Sequence, residues 1–98
     1  MGYFKHDAIV VIGYDVNVDK ARDKAIELNL PCSEIVKSKT NGFYSFLIAP
    51  DGSKEGWGTS NEMDEARNKW KEYASNLDWA HIRFGGDDSD LASFVEWR

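Results

Sequence analysis

A chain of 98 residues holds one folded domain and little more. With 12 basic and 17 acidic side chains it carries a formal charge of −5, which sets it against phosphate backbones at long range. Cysteine is used once, at Cys32, so an internal disulfide and a cysteine-based zinc site are both excluded.

The first seven residues lack the apolar core of a signal peptide, and the longest apolar run, residues 8–12, is far short of a membrane span. A cytoplasmic protein without a membrane partner is expected. Residues 8–14 are apolar on both faces and rich in β-branched side chains, the pattern of a central strand. Val18, Ala21, Ala25 and Leu28 then recur at helical spacing. They predict a helix over residues 18–29, capped by Asn17 and stopped by Pro31.

Residues 34–39 form a polar, mildly alternating strand. Asn41-Gly42 follows, a strong hairpin signal. Residues 43–49 are a second strand apolar on both faces, ended by the turn chemistry of Pro50-Asp51-Gly52. The loop over residues 51–59 is glycine-rich and carries Lys54 and Trp57. It lacks the Gly-Lys-Ser/Thr of a phosphate-binding loop. Thr59 and Glu62 have capping-box spacing, and Met63, Ala66, Trp70, Tyr73 and Leu77 predict a helix over residues 61–76. Residues 79–84 alternate as a half-buried strand does. In the tail, Leu91, Phe94 and Val95 share a helical face with Trp97 nearby, which predicts a short C-terminal helix.

The order β-α-β-β-α-β predicts an α+β fold, a ferredoxin-like plait. Its four-stranded antiparallel sheet would carry two helices on one face, plus the C-terminal helix. A single domain would have its core over residues 8–85 and an acidic extension over 86–98. The first and third strands would be central, in agreement with their apolar character on both faces.

This topology leaves one sheet face without helices. Directing Ala80, Ile82 and Phe84 at the helices puts Trp79, His81 and Arg83 on the open face, and Tyr44 and Phe46 share one face of the third strand. Rings on an open sheet are how RNA-recognition domains stack bases. Residues 41–47 are similar to the third-strand motif of those domains, with one residue inserted and without its leading basic residue. The negative charge opposes nucleic acid, so coverage of these rings by the C-terminal helix or a second subunit is the preferred expectation. Single-stranded nucleic-acid binding is the alternative.

His6 and His81 are the acid/base candidates, and no serine or cysteine spacing suggests a triad. A small hydrolase or metal-dependent enzyme is the third reading, and it requires a polar cleft at His81. Asp87, Asp88 and Asp90 could offer oxygen ligands, but EF-hand spacing is absent and capping of a helix accounts for them. No metal and no cofactor are expected.

Residues 46–57, FLIAPDGSKEGW, resemble segments of small uncharacterised phage and prophage proteins. The resemblance implies a phage or prophage origin and brings no activity with it. In that setting the acidic stretch around Asp87, Asp88 and Asp90 could occupy a host enzyme's nucleic-acid site, and charge reversal there would abolish binding. The sequence thus predicts a non-enzymatic interaction domain that binds a protein or itself, as a homodimer. Tyr44, Phe46, Trp79, His81 and Arg83 form one contact patch, and Asp87, Asp88, Asp90 and Trp97 form a second.

Overall fold

The computed structural model describes residues 5–52, 58–85 and 93–97. Its elements are β1 (Lys5–Gly13), α1 (Asp15–Glu27), β2 (Val36–Lys37), β3 (Tyr44–Ile48), α2 (Gly58–Tyr73), β4 (Asp78–Gly85) and β5 (Ser93–Trp97). The strands form one five-stranded sheet in the order β2-β3-β1-β4-β5, and every pairing is antiparallel. The fold is α+β, with one strand more than the four-stranded expectation.

That fifth strand is where a C-terminal helix was expected. β5 pairs with β4, Ala80 opposite Trp97 and His81 opposite Glu96, with a bulge between His81 and Ile82. Val95, Glu96 and Trp97 suit a strand, and without β5 the outer backbone groups of β4 would lack ladder partners. β4 is therefore an interior strand, and the sheet edges are β2 and β5.

Both helices lie on one face and close a single core. Val18, Ala21 and Ala25 of α1 and Ala66 and Trp70 of α2 pack with Ile9, Val11, Phe46, Ile48 and Trp79 of the sheet. Trp70 is the centre of this core. Its ring meets Phe46 and Trp79 edge-on at 6.4 and 6.1 Å, and its Nε1 donates to the Ala21 carbonyl at 2.9 Å, tying the helices together.

The helices differ from their predicted limits for local reasons. α1 starts at Asp15, with Tyr14 in extended geometry as its cap residue, so Asn17 lies inside the helix. Asp15 then sits in the first turn, at the positive end of the helix dipole. The helix closes before Pro31: Asn29 adopts φ 64°, its N–H donates to Ile26 and that of Leu30 to Ala25. This is a Schellman closure with asparagine in the left-handed position. α2 starts at Gly58, so Thr59 is within its first turn. Its buried stripe runs through Ala66, Arg67, Trp70, Lys71 and Ala74, while Tyr73 is exposed. The hairpin after β2 has Asn41 and Gly42 at φ 67° and 68°, the conformation that this pair favours. Trp57 and Lys54 lie outside the described residues.

Candidate functional site

Strand register settles which side chains share a face. Ile9, Val11 and Gly13 of β1 pair with Ile48, Phe46 and Tyr44 of β3. On the other side Asp7, Ile9 and Val11 pair with Arg83, His81 and Trp79 of β4. Ile9 and Val11 are fully buried against the helices, so all of these residues face the helices.

The expected open-face patch is therefore overturned. Trp79 and Phe46 are buried in the core, Tyr44 packs against it, and His81 and Arg83 point to the α2 side. The parity of β4 is opposite to the one anticipated, a one-residue shift that moves every side chain across the sheet. Size explains the outcome. A tryptophan at position 79 buries far more apolar area than the alanine at position 80.

His81 instead enters a buried polar cluster. Asp7, Arg67 and His81 are 1, 2 and 4% exposed. The Asp7 Oδ1 accepts from the His81 Nε2 and from the Arg83 Nε, each at 2.8 Å. The Arg67 Nη2 lies 3.6 Å from the Asp7 Oδ2 and donates to the Asp64 Oδ1 at 2.6 Å, while its Nη1 is 3.7 Å from the Asp51 Oδ2. The Lys71 Nζ sits 2.7 Å from the His81 Nδ1 and donates to the Glu96 Oε1 at 2.9 Å. A lysine ammonium has donors only, so that contact needs an unprotonated Nδ1, and the ring proton then lies on Nε2, facing Asp7.

Burial alone would push the Asp7 carboxyl up. The bonds from His81 and Arg83 and the charges of Arg83 and Arg67 outweigh burial and hold it well below the usual carboxylate range. Glu96 is lowered by its bond to Lys71 and by the Lys71 charge. Among the described residues, Arg67, Lys71 and Arg83 meet the carboxylates of Asp7, Asp51, Asp64 and Glu96 in this cluster.

A cleft of about 230 Å³ opens over this cluster, between α2, β4 and β5, lined by Arg67, Lys71, His81, Arg83 and Glu96 among others. This is the polar cleft that the enzyme reading required. Both ring nitrogens of His81 are engaged, and among the described residues no serine, threonine or cysteine lines the cleft. Among the described residues no group of three or more histidine, cysteine, aspartate or glutamate side chains could hold a metal.

The opposite sheet face is apolar and has no helix over it. Leu47, Val10, Ala80 and Trp97 form a row across four strands by register. Ile12, Ser45 and Val36 lie beside it, as do Ala8 and Ile82. Val10, Ile12, Val36 and Trp97 are 47, 40, 61 and 75% exposed. At one end of the sheet Tyr14 stacks on Phe43 at 5.2 Å. Among the described residues this face has no lysine or arginine, and its ionisable side chains, His6 and Asp78, lie at its ends.

Of the sequence-predicted contact residues, Trp97 alone is on the open face. Tyr44, Phe46, Trp79, His81 and Arg83 are together on the helix side, and Asp87, Asp88 and Asp90 lie outside the described residues. Asp7, Arg67, Lys71 and Glu96 went unnoticed in the sequence. One signal was available: Arg67 and Lys71 are four apart and bracket Trp70 on the buried stripe of α2. Compared with protein-family models, curated proteins and solved structures, the chain matches none of them. No helix among the described residues is long and apolar enough to cross a membrane.

Proposed function

We propose that the protein is a small interaction module that self-associates, two copies mating through their open sheet faces over a ferredoxin-like core extended by β5. The observation that carries this reading is the uncharged apolar row Leu47–Val10–Ala80–Trp97, exposed across four strands. Patches of this kind on soluble proteins mark contact surfaces.

Size supports a second copy as the occupant. The strands, two to nine residues long at ~3.3 Å per residue and ~4.8 Å apart, give a flat area of roughly 450 Å². Two such faces bury about 900 Å², the size of a weak, concentration-dependent interface. A face whose ionisable side chains lie only at its ends needs little complementary charge opposite, so an identical face fits it under two-fold symmetry, sheets stacked ~10 Å apart.

Nucleic acid suits this face less well. Among the described residues it lacks the cations that neutralise phosphates, and Tyr44, Phe46 and Trp79 are turned into the core.

Light scattering across a concentration series tests the proposal. The 11.1 kDa chain should weigh about twice that, 2 × 11.1 = 22.2 kDa, at micromolar concentrations. Val10→Lys and Trp97→Ala should each return the monomer mass with the circular dichroism unchanged. A wild-type chain that stays monomeric to about 1 mM refutes it.

A further inference from the structure

β5 is the element on which the two sites meet. Its Glu96 points to the helix side, opposite His81, and binds Lys71, while the next residue, Trp97, joins the apolar row on the open face. On the helix side Glu96–Lys71 is the side-chain tie that holds β5 to α2 among the described residues, and it lies beside the bulge that interrupts the β4–β5 ladder.

The tie depends on a contact that tolerates one proton and not two. Lys71 Nζ and His81 Nδ1 are 2.7 Å apart. One proton between two nitrogens makes a hydrogen bond; a second puts two cations at that distance. The groups facing His81 are Asp7 from β1, Arg83 from β4, Arg67, Asp64 and Lys71 from α2, and Glu96 from β5, with Asp51 behind Arg67. Asp7 stays ionised well into acid and accepts from a protonated His81 as it does from the neutral ring.

We propose that proton uptake by the His81–Lys71 pair expels Lys71, releases Glu96 and loosens β5, so that mildly acidic conditions withdraw Trp97 from the open face and weaken the dimer. This rests on the self-association proposed above for that face. Histidine is the side chain whose charge ordinarily changes between about pH 5 and 8, which sets the pH values of the test. Protonation of the pair is the input, the Glu96 tie is the link, and the position of β5 is the output.

The experiment compares the full chain at about pH 8 and pH 5 with two readouts on the same samples. The first is local: amide exchange of Val95 and Glu96, corrected for intrinsic rate, with the Trp97 indole resonance. The second is mass by light scattering. Opening of β5 should rise about tenfold or more at the lower pH, as a locally released edge does, while β1 stays protected. Glu96→Ala, which removes the acceptor of Lys71 and leaves His81 in place, should show fast β5 exchange at both pH values. His81→Asn can accept from Lys71 and donate to Asp7, and should abolish the response.

If β5 exchange and the Trp97 indole are the same at both pH values in the wild type, the switch is overturned. So is it if Glu96→Ala still responds. If β5 loosens in acid but the chain is a monomer throughout, the self-association reading fails and the proton-linked release of β5 stands.

Discussion

Replacing Asp7 by asparagine keeps its shape and removes its charge. The carboxylate is 1% exposed, accepts hydrogen bonds from His81 and Arg83 at 2.8 Å each, and faces Arg67, itself 2% exposed, at 3.6 Å. Hydrogen bonds to charged groups are worth about 1.5–3 kcal/mol each, but these two share one oxygen and their values do not add. The larger effect is the buried guanidinium of Arg67, left with Asp64 and the more distant Asp51. Removing one member of a buried ion pair costs roughly 3–5 kcal/mol.

A domain of this size is stable by roughly 5–15 kcal/mol, so Asp7→Asn should lose a large share of it. Its urea midpoint should fall at an unchanged m-value, with a Tm drop of at least about 12 °C. Adding Arg67→Met should cost less than the two single losses summed, by about 1 kcal/mol or more. The same carboxyl sets an acid limit. Its folded pKa lies below the ordinary aspartate value of 3.8, so its stabilisation is complete above that pH and is lost as the pH falls towards the folded value. The gap between wild type and Asp7→Asn should therefore be constant at neutral pH and shrink below about pH 4. A loss under about 1 kcal/mol in the single variant refutes the reading of this cluster as a mutually dependent charge network.

Gly13→Ala places a Cβ 2.5 Å from the Leu77 Cδ2 and 3.3 Å from the Val18 Cγ2, and overpacking of this kind costs about 1–3 kcal/mol. Chemical denaturation should show that penalty shrinking in a Leu77→Ala background. Asn29→Gly should hold or slightly raise the Tm, whereas Asn29→Ala should lower stability by about 1 kcal/mol, because the site has φ 64°. Trp70→Phe loses the bond to the Ala21 carbonyl and part of the packing with Phe46 and Trp79; a loss of about 1–3 kcal/mol with altered near-ultraviolet circular dichroism is expected.

The element order was legible because each main element has a strong local pattern. The apolar runs of β1 and β3, the 3–4 spacing of α1 and the Asn-Gly turn all depend on nearby residues. β5 was not legible, since Leu91, Phe94 and Val95 fit a helical face as well as a strand when the neighbour is unknown. What decides between them is β4, which offers a ladder.

The face of β4 was misassigned because strict alternation fixes the period and leaves the phase open. Val11 opposite Trp79 fixes the phase, and that pairing is a long-range fact. The cluster was hidden for a related reason. Asp7, Arg67, His81 and Glu96 are scattered over ninety residues, and any of them alone would pass as a solvated charge.

The most direct test of the central claim is where two copies touch. In a sample mixed from isotope-labelled and unlabelled chains, filtered nuclear Overhauser spectra record only contacts between copies. Contacts should fall on the methyls of Val10, Ile12, Leu47 and Ile82 and on the Trp97 ring. Contacts confined to the helices or to the β2 edge, or none under conditions where the dimer mass is observed, would contradict it.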